Sequence, residues 1–336
     1  MKKLYIITGA KGHLAGTIIR KLMKNDCLIR GLILPTENGN DDSKLKYYKG
    51  DVTILDSMNE IFSNIAGYEV IVIHTAGIIS IEQNVSELMY NVNVIGTRNV
   101  IRACIKYNVN KFVYVSSVHA IPETADNGII EEVGCFSKEW VTGGYAATKA
   151  EASQTVLNAV KNGLKAVIVH PSGIIGPYDK GSNHIIQLIQ MYLSGKLPAG
   201  VTGGYDFVDV RDVADGCIAA AEKGKVGECY ILSNRYCTVK ELLEFMRVAS
   251  NGRKKVCFPL KMAKLAAPIF EKAAEITHTR PLFTKYSLYT MESNGHFTHD
   301  KATMQLGYHP RDIKITIEDT IAWLKKNNAV ISEALL

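Results

Sequence analysis

Short, nearly uninterrupted apolar runs alternate with segments of helical spacing through the first half of this chain. That alternation constrains its fold more than any other feature. Residues 4–8, 27–34, 46–49, 69–74, 111–116 and 166–170 read as strands, and 14–23, 86–107 and 146–161 carry the apolar spacing of helices. Strands that are apolar on both faces and separated by helices call for a parallel sheet covered on both sides. Right-handed crossovers then wind that sheet doubly, giving an α/β architecture with helices on both faces. The chain has 336 residues, 47% of them hydrophobic and 21% charged. That composition supports a large core and excludes fibrous or largely disordered architectures.

After Pro171 the pattern loosens. Residues 185–193, 210–222, 238–249, 261–276 and 315–326 look helical, and 228–232 reads as a late strand. The expectation is a nucleotide-binding sheet over 1–170, completed by a strand within about 206–235. Segments 171–205 and 236–330 are expected to form a smaller, mostly helical lobe folded back onto it.

The first strand ends in Thr8-Gly9-Ala10-Lys11-Gly12-His13-Leu14-Ala15-Gly16. Glycines at 9 and 12 permit a tight turn and a close backbone approach to a pyrophosphate. The helix that follows presents free N–H groups and the positive end of its dipole. A net charge of +6, spread along the chain, suits such an anion but is not a nucleic-acid footprint. The seven scattered cysteines contain no CxxC. They point to reduced thiols rather than a disulfide scaffold or zinc site. The nine histidines show no HxxxH or HExxH spacing, so no metal is expected. No apolar run approaches the length of a membrane span, and the first residues lack a secretory pattern. A cytoplasmic protein is expected.

These segments resemble, in order, the extended branch of the short-chain dehydrogenase/reductase superfamily, the NAD-dependent epimerase/dehydratase family. The resemblance rests on the glycine loop, on Gly50-Asp51-Val52, on His74-Thr75-Ala76-Gly77, on Asn93-Val94-Ile95-Gly96-Thr97, and on Leu306 to Arg311 near the end. It implies a Rossmann-type doubly wound sheet and a nicotinamide cofactor. The cofactor would be held by Gly9, Lys11, Gly12, His13, Leu14, Asp51, Val52, Thr75, Ala76, Gly77, Asn93, Tyr145, Lys149, Pro171, Gly173 and Ile174. Asn93 is a weaker member of that set, able instead to brace its helix or an active-site water.

The family's catalytic pair is YxxxK, which begins in this chain at Tyr107, Tyr145, Tyr192 and Tyr236. Placement selects Tyr145-Ala146-Ala147-Thr148-Lys149. Tyr107 precedes a strand, at the wrong end of the sheet, and the last two fall after the nucleotide-binding half. On a helix, positions i and i+4 share a face, so Lys149 can sit below Tyr145 and bind ribose hydroxyls. Its charge, with that of oxidised nicotinamide, is expected to lower the tyrosine pKa. Ser117, at the end of the fifth strand, would hold and polarise the substrate oxygen, with Ser116 its structural neighbour. Ile78, His119 and Tyr178 are candidates to line the substrate pocket.

The second strand ends Leu32-Ile33-Leu34-Pro35-Thr36, with neither the acid usual for NAD nor a base for NADP. Lys11 could meet a 2′-phosphate, which favours NADP(H) slightly over NAD(H). Ser117-Val118-His119 lacks the acid pair of the family's dehydratases. His170-Pro171-Ser172-Gly173-Ile174-Ile175-Gly176-Pro177 departs from the nucleotide-sugar pattern, with His170 for Arg and Gly173 for Asn. It is more similar to dihydroflavonol-4-reductase-like and 3β-hydroxysteroid-dehydrogenase-like enzymes. Residues 258–268 and 281–286 resemble the apolar substrate-side helices of that group. The expected activity is alcohol/ketone interconversion on a relatively apolar small molecule, such as a hydroxysteroid or flavanonol. The alternatives are a sugar epimerase and a non-catalytic NAD(P) sensor. A homodimer through 86–107 and 146–161 is the family-level expectation.

Overall fold

The computed structural model describes residues 1–80, 84–124, 128–179, 183–263 and 285–333. β1 (Lys2–Thr8), β2 (Cys27–Ile33), β3 (Leu45–Lys49), β4 (Tyr68–His74), β5 (Lys111–Val115) and β6 (Ala166–Pro171) join the late strand β10 (Cys229–Leu232) in one sheet of order β10-β6-β5-β4-β1-β2-β3. Every neighbouring pair in it is parallel. Alternation along β1 shows why both faces are covered. Leu4 and Ile6 enter the core on one side, and Tyr5 and Ile7 the core on the other. Helix α1 (His13–Leu22) packs against α6 (Val210–Lys223) on one face, and α3 (Thr97–Lys106) against α4 (Gly144–Lys161) on the other. The strand order runs outward from β1 to β3 and then reverses to β4. A crevice therefore opens beyond the carboxyl ends of β1 and β4, where ligands of such sheets bind.

The expected helix over 86–107 is interrupted. A short helix at Glu87–Tyr90 passes through a π-helical turn at Asn91–Gly96 before α3 begins. Thr97 donates its hydroxyl to the carbonyl of Asn93 at 2.6 Å. At Gly96 an added Cβ would stand 2.7 Å from Val52. The wider turn swings Asn93 inward, where it is buried, and such bulges recur at functional sites.

The second lobe is less helical than expected. β7 (Gly173–Ile175), β9 (Gly204–Asp209) and β11 (Arg235–Thr238) form a three-stranded sheet, and β8 (Gly200–Val201) pairs with β12 (Cys257–Phe258). These strands are short and carry Gly, Asp and Arg, so no periodicity marks them. The helices α5 (His184–Leu193) and α7 (Val239–Ser250) are present, the latter opened by a capping box of Thr238 and Glu241. Beyond residue 263 the expected helix over 261–276 lies outside the described residues, as do residues 264–268 of 258–268 and residues 281–284 of 281–286. The last helix runs over Ile313–Glu333. A bidentate pair from Arg311 to Asp212, and Arg211 bridging Asp209 and Asp319, tie this C-terminal part to the start of α6. No described helix is long and apolar enough to cross a membrane.

Candidate active site

The crevice floor is shaped by glycines. Gly9 adopts φ +65, and a Cβ there would stand 2.9 Å from the Ala76 backbone. The amide of Gly12 closes the turn onto the Gly9 carbonyl at 2.8 Å. Gly12 also caps α1 without any side-chain hydrogen bond, so the amides of the first turn remain open to an anion. A Cβ on Gly77 would lie 3.2 Å from Asn93 Oδ1 and 3.4 Å from Lys149 Nζ. At each of these glycines a side chain would crowd the crevice, which is the fit a dinucleotide needs.

Around that floor Thr75 donates its hydroxyl to the Thr8 carbonyl at 2.7 Å. Asp51 Oδ1 accepts from the Thr53 amide and hydroxyl. Asn99 Nδ2 donates to the carbonyls of Val52 and Thr53 and so fixes the turn after β3. Leu14 lies in the first turn of α1, half-buried. Pro171 ends β6, and Gly173 and Ile174 lie in β7. Two members of the glycine loop have partners outside it. His13 bonds the Pro177 carbonyl through Nε2 at 2.8 Å, and burial lowers its pKa. Lys11 lies over the ring of Tyr47, 4.7 Å from its centroid.

A buried chain of hydrogen bonds holds the cofactor side together. The Ala76 amide donates to the Thr8 hydroxyl at 3.2 Å, and Thr8 Oγ1 lies 2.7 Å from His74 Nδ1. On the other side His74 Nε2 lies 3.1 Å from Thr97 Oγ1. The Thr97 hydroxyl already donates to Asn93, so Nε2 carries the imidazole proton and Nδ1 accepts from Thr8. Burial first, and Lys149 second, lower the His74 pKa to about 3, so this ring stays neutral. Asn93 Oδ1 accepts from the Ile78 amide at 2.8 Å, and Nδ2 donates to the Ile78 carbonyl and the Thr148 hydroxyl. Asn93 thus braces the 75–78 loop against α4.

The structure brings Ser117, Tyr145 and Lys149 together. All three are buried, and the Ser117 hydroxyl acts on the Tyr145 phenol to lower its pKa. Ser116 bonds Ser153 at 2.7 Å, pinning β5 to α4 one residue before Ser117. Lys149 donates to the Val115 carbonyl at 2.9 Å and lies 5.0 Å from the Tyr114 ring centroid. Burial lowers its pKa to about 7. Burial raises Tyr145 to about 12, and the Ser117 hydroxyl pulls it down. The charge of Lys149 within the chain does not make a phenolate.

Behind the serine, the His119 amide donates to Ser117 Oγ at 3.3 Å. Its ring stacks on Tyr205 at 5.5 Å and meets Tyr145 edge-on at 6.0 Å. Tyr205 Oη lies 3.1 Å from His119 Nε2. Beyond them opens a cavity of about 190 Å³ that mixes apolar walls such as Ile121 and Phe297 with Glu123 and Asn294. Ile78 edges the crevice half-buried, with both its backbone groups held by Asn93. Tyr178 does not join this wall. Its ring lies under Arg20 and against Trp323, on the α1 side of the sheet. Among the described residues no cluster of three His, Cys, Asp or Glu side chains could hold a metal ion.

The model of the NAD dependent epimerase/dehydratase family matches residues 5–233. The chain belongs to that family. It is an NAD(P)-dependent oxidoreductase of the extended short-chain dehydrogenase/reductase type. It is similar over nearly its full length to sterol demethylase protein B of Methylococcus capsulatus, 24% identical, with 97% of this chain and 99% of that protein covered. It is also similar to a putative dihydroflavonol 4-reductase of Synechocystis, 27% identical, with 98% and 97% covered. Among solved structures, gox2253 superposes with a TM-score of 0.81 at 29% identity, covering 97% of this chain and 99% of that one.

Sequence reasoning named Thr97 without a role and missed Asn99, Tyr205 and Glu37. Thr97 closes the recognised Asn93 segment and Asn99 follows it, and helical spacing could have found the part of each. Glu37 lies just past the stop at Pro35, yet it turns back to accept the Leu34 amide at 2.8 Å. An acid therefore does stand at the end of β2. Nothing local marks Tyr205, which reaches the site only through the second sheet.

Proposed function

We propose that this enzyme interconverts a secondary alcohol and a ketone on a relatively apolar small molecule of hydroxysteroid or flavanonol type, with Tyr145 as general acid and base. The observation that carries the reading is the burial of Ser117, Tyr145 and Lys149 at the end of β5, with Lys149 held on the Val115 carbonyl. The nicotinamide, when bound, supplies or accepts the hydride. Lys149, Asn93-braced Gly77 and the glycine loop would hold its nucleotide. Ser117 donates a hydrogen bond to the substrate oxygen and orients it toward Tyr145. In reduction the Tyr145 hydroxyl gives its proton to the developing alkoxide, and in oxidation its phenolate takes that proton back.

Because burial raises Tyr145 to about 12, a bare phenolate is disfavoured near neutral pH. Reduction starts from the neutral phenol, the form that burial favours. The added positive charge of an oxidised ring beside Lys149 would draw Tyr145 down for the reverse reaction. Lys11 supports a slight preference for NADP(H), while Glu37 opposes a 2′-phosphate. Named relatives at 24% and 27% identity, one sterol-related and one a reductase, support the substrate class without choosing within it. The test is cofactor consumption against hydroxysteroids, flavanonols and small ketones. Intact cofactor binding with no turnover of any of the three would overturn the reading.

A further inference from the structure

Asp206 is a buried carboxylate that this chemistry leaves unused. It lies mid-strand in β9, opposite Tyr236 of β11, and is fully buried. Its Oδ1 accepts the Ser172 hydroxyl at 2.5 Å and the Asn234 amide at 3.0 Å. Its Oδ2 is buried with no hydrogen-bond partner among the described residues. The ionisable groups around it are Arg235 and Cys237 on β11 and Tyr308 beyond it. Arg235 is committed to Glu241 at 3.3 Å. Burial lifts the Asp206 carboxyl to about 7.

An acid buried with one oxygen unpaired costs stability whenever it ionises. An amide could accept the same two hydrogen bonds without that cost. The charge therefore needs a use, and its one side-chain partner suggests it. Ser172 sits between Pro171 and Gly173, in the turn that leads from the main sheet to the small one. That turn has no slack, since a Cβ on Gly173 would stand 2.8 Å from the Phe207 ring and 3.0 Å from the Asp206 carbonyl. Gly173 also pairs in register with Phe207. The strand that carries Asp206 thus sets the path of residues 171–174 twice, by backbone pairing and by the serine bond. Hydrogen bonds to an ionised acceptor are shorter and stronger than neutral ones.

We propose that Asp206 is a positioning residue for the cofactor, whose carboxylate, acting through the Ser172 hydroxyl, holds the 171–174 turn in its binding shape. This rests on the reading of Pro171, Gly173 and Ile174 as cofactor contacts. The experiment is titration of the wild-type protein, Asp206→Asn and Ser172→Ala with NADPH and NADH near pH 6 and pH 8, alongside thermal unfolding. No substrate is required. Asp206→Asn should bind the preferred cofactor about fivefold more weakly than wild type near pH 8, the order of one charge-assisted bond. Near pH 6, where the wild-type carboxyl is mostly protonated, the ratio should approach one. Comparing the two proteins at each pH cancels the titration of Lys149. Ser172→Ala should lose similar affinity near pH 8, and adding Asp206→Asn to it should cost little more.

Stability should move the other way. The native carboxyl titrates above its unfolded value, so it takes stability away as pH rises from about 4 to 7. Asp206→Asn should therefore raise the melting temperature near pH 8. A purely structural residue would lose stability and affinity together at both pH values, and that outcome overturns the proposal. So does unchanged affinity in Asp206→Asn near pH 8. If wild type binds neither nucleotide, the functional reading itself falls and takes this one with it.

Discussion

The two sides of the crevice are built in contrasting ways. On the cofactor side, Thr8, His74, Thr97, Asn93 and Thr148 form a closed relay in which each polar atom named has a partner. On the substrate side, His119 and Tyr205 border an open cavity of about 190 Å³, and Trp140 on its rim is 54% exposed. The closed side draws on the ends of β1, β4 and β5 and on the helices beside them, so the sheet order places it. The open side gathers residues from the loop after β5, from β9 and from the segment around 289–297, which share only the second lobe. The difference assigns cofactor geometry to a rigid frame and substrate choice to packing between distant segments. Binding sites commonly place variable specificity on a fixed scaffold.

The largest expected effect lies where the two sides meet. Tyr145→Phe should cut turnover about 10³-fold, the scale of a lost general acid, while the cofactor dissociation constant stays within about twofold. Fluorescence titration beside a turnover assay checks both, and retained turnover would remove Tyr145 from the mechanism.

Stability should separate the sides next. Asn93→Leu leaves the buried amide and carbonyl of Ile78 and the Thr148 hydroxyl without their partner, and should cost about 2–4 kcal/mol in denaturant unfolding. Tyr205→Phe should cost less than about 1 kcal/mol, because the ring stays and the cavity beside it can admit water. Equal losses would break the contrast.

A pH effect follows from Lys149. The pKa of its ammonium is lowered to about 7, and nucleotide hydroxyls are held best by the charged form. Affinity for cofactor should fall about tenfold from pH 7 to 9 and be flat in Lys149→Met. In the unliganded protein the sign reverses. The unfolded chain binds the Lys149 proton more readily between pH 7 and 10.5, so this group's contribution to stability rises with pH across that window. Melting curves of wild type against Lys149→Met read that slope. The smallest effect concerns the phosphate. Lys11→Ala should lower the NADPH-to-NADH affinity ratio several-fold and Glu37→Gln should raise it, since a surface charge in water is worth about 1 kcal/mol or less. An unchanged ratio in Lys11→Ala would refute the NADP(H) preference.

Much of this was legible from residue order. Continuous apolar strands with helical segments between them specify a parallel sheet because no other arrangement covers both faces. The glycine loop, Ser117 and the Tyr145–Lys149 pair are set by short-range spacing at strand and helix ends, and the folded chain brings them together. Tyr107, Tyr192 and Tyr236 carry the same YxxxK spacing. Their place relative to the sheet sets them aside, and in the structure Tyr107 bonds Asn59, Tyr192 bonds the Arg253 carbonyl and Tyr236 stacks on His296. What spacing cannot carry is the direction in which a side chain points. His13 turns to Pro177, Tyr178 to Arg20 and Trp323, and Lys11 to Tyr47, because their partners come from elements more than 30 residues away.

The sequence by itself determined the sheet, the position of the glycine loop and the choice of Ser117, Tyr145 and Lys149 as the candidate trio, all products of local pattern and chain topology. Only the tertiary structure decided the direction of the pKa shifts of Tyr145 and Lys149, the hydrogen-bond partners of Asn93 and the wall of the cavity beside His119. Each of these depends on burial and on contacts between remote segments. Burial is what raises Tyr145 and lowers Lys149, and no linear spacing reports how much water a side chain has lost.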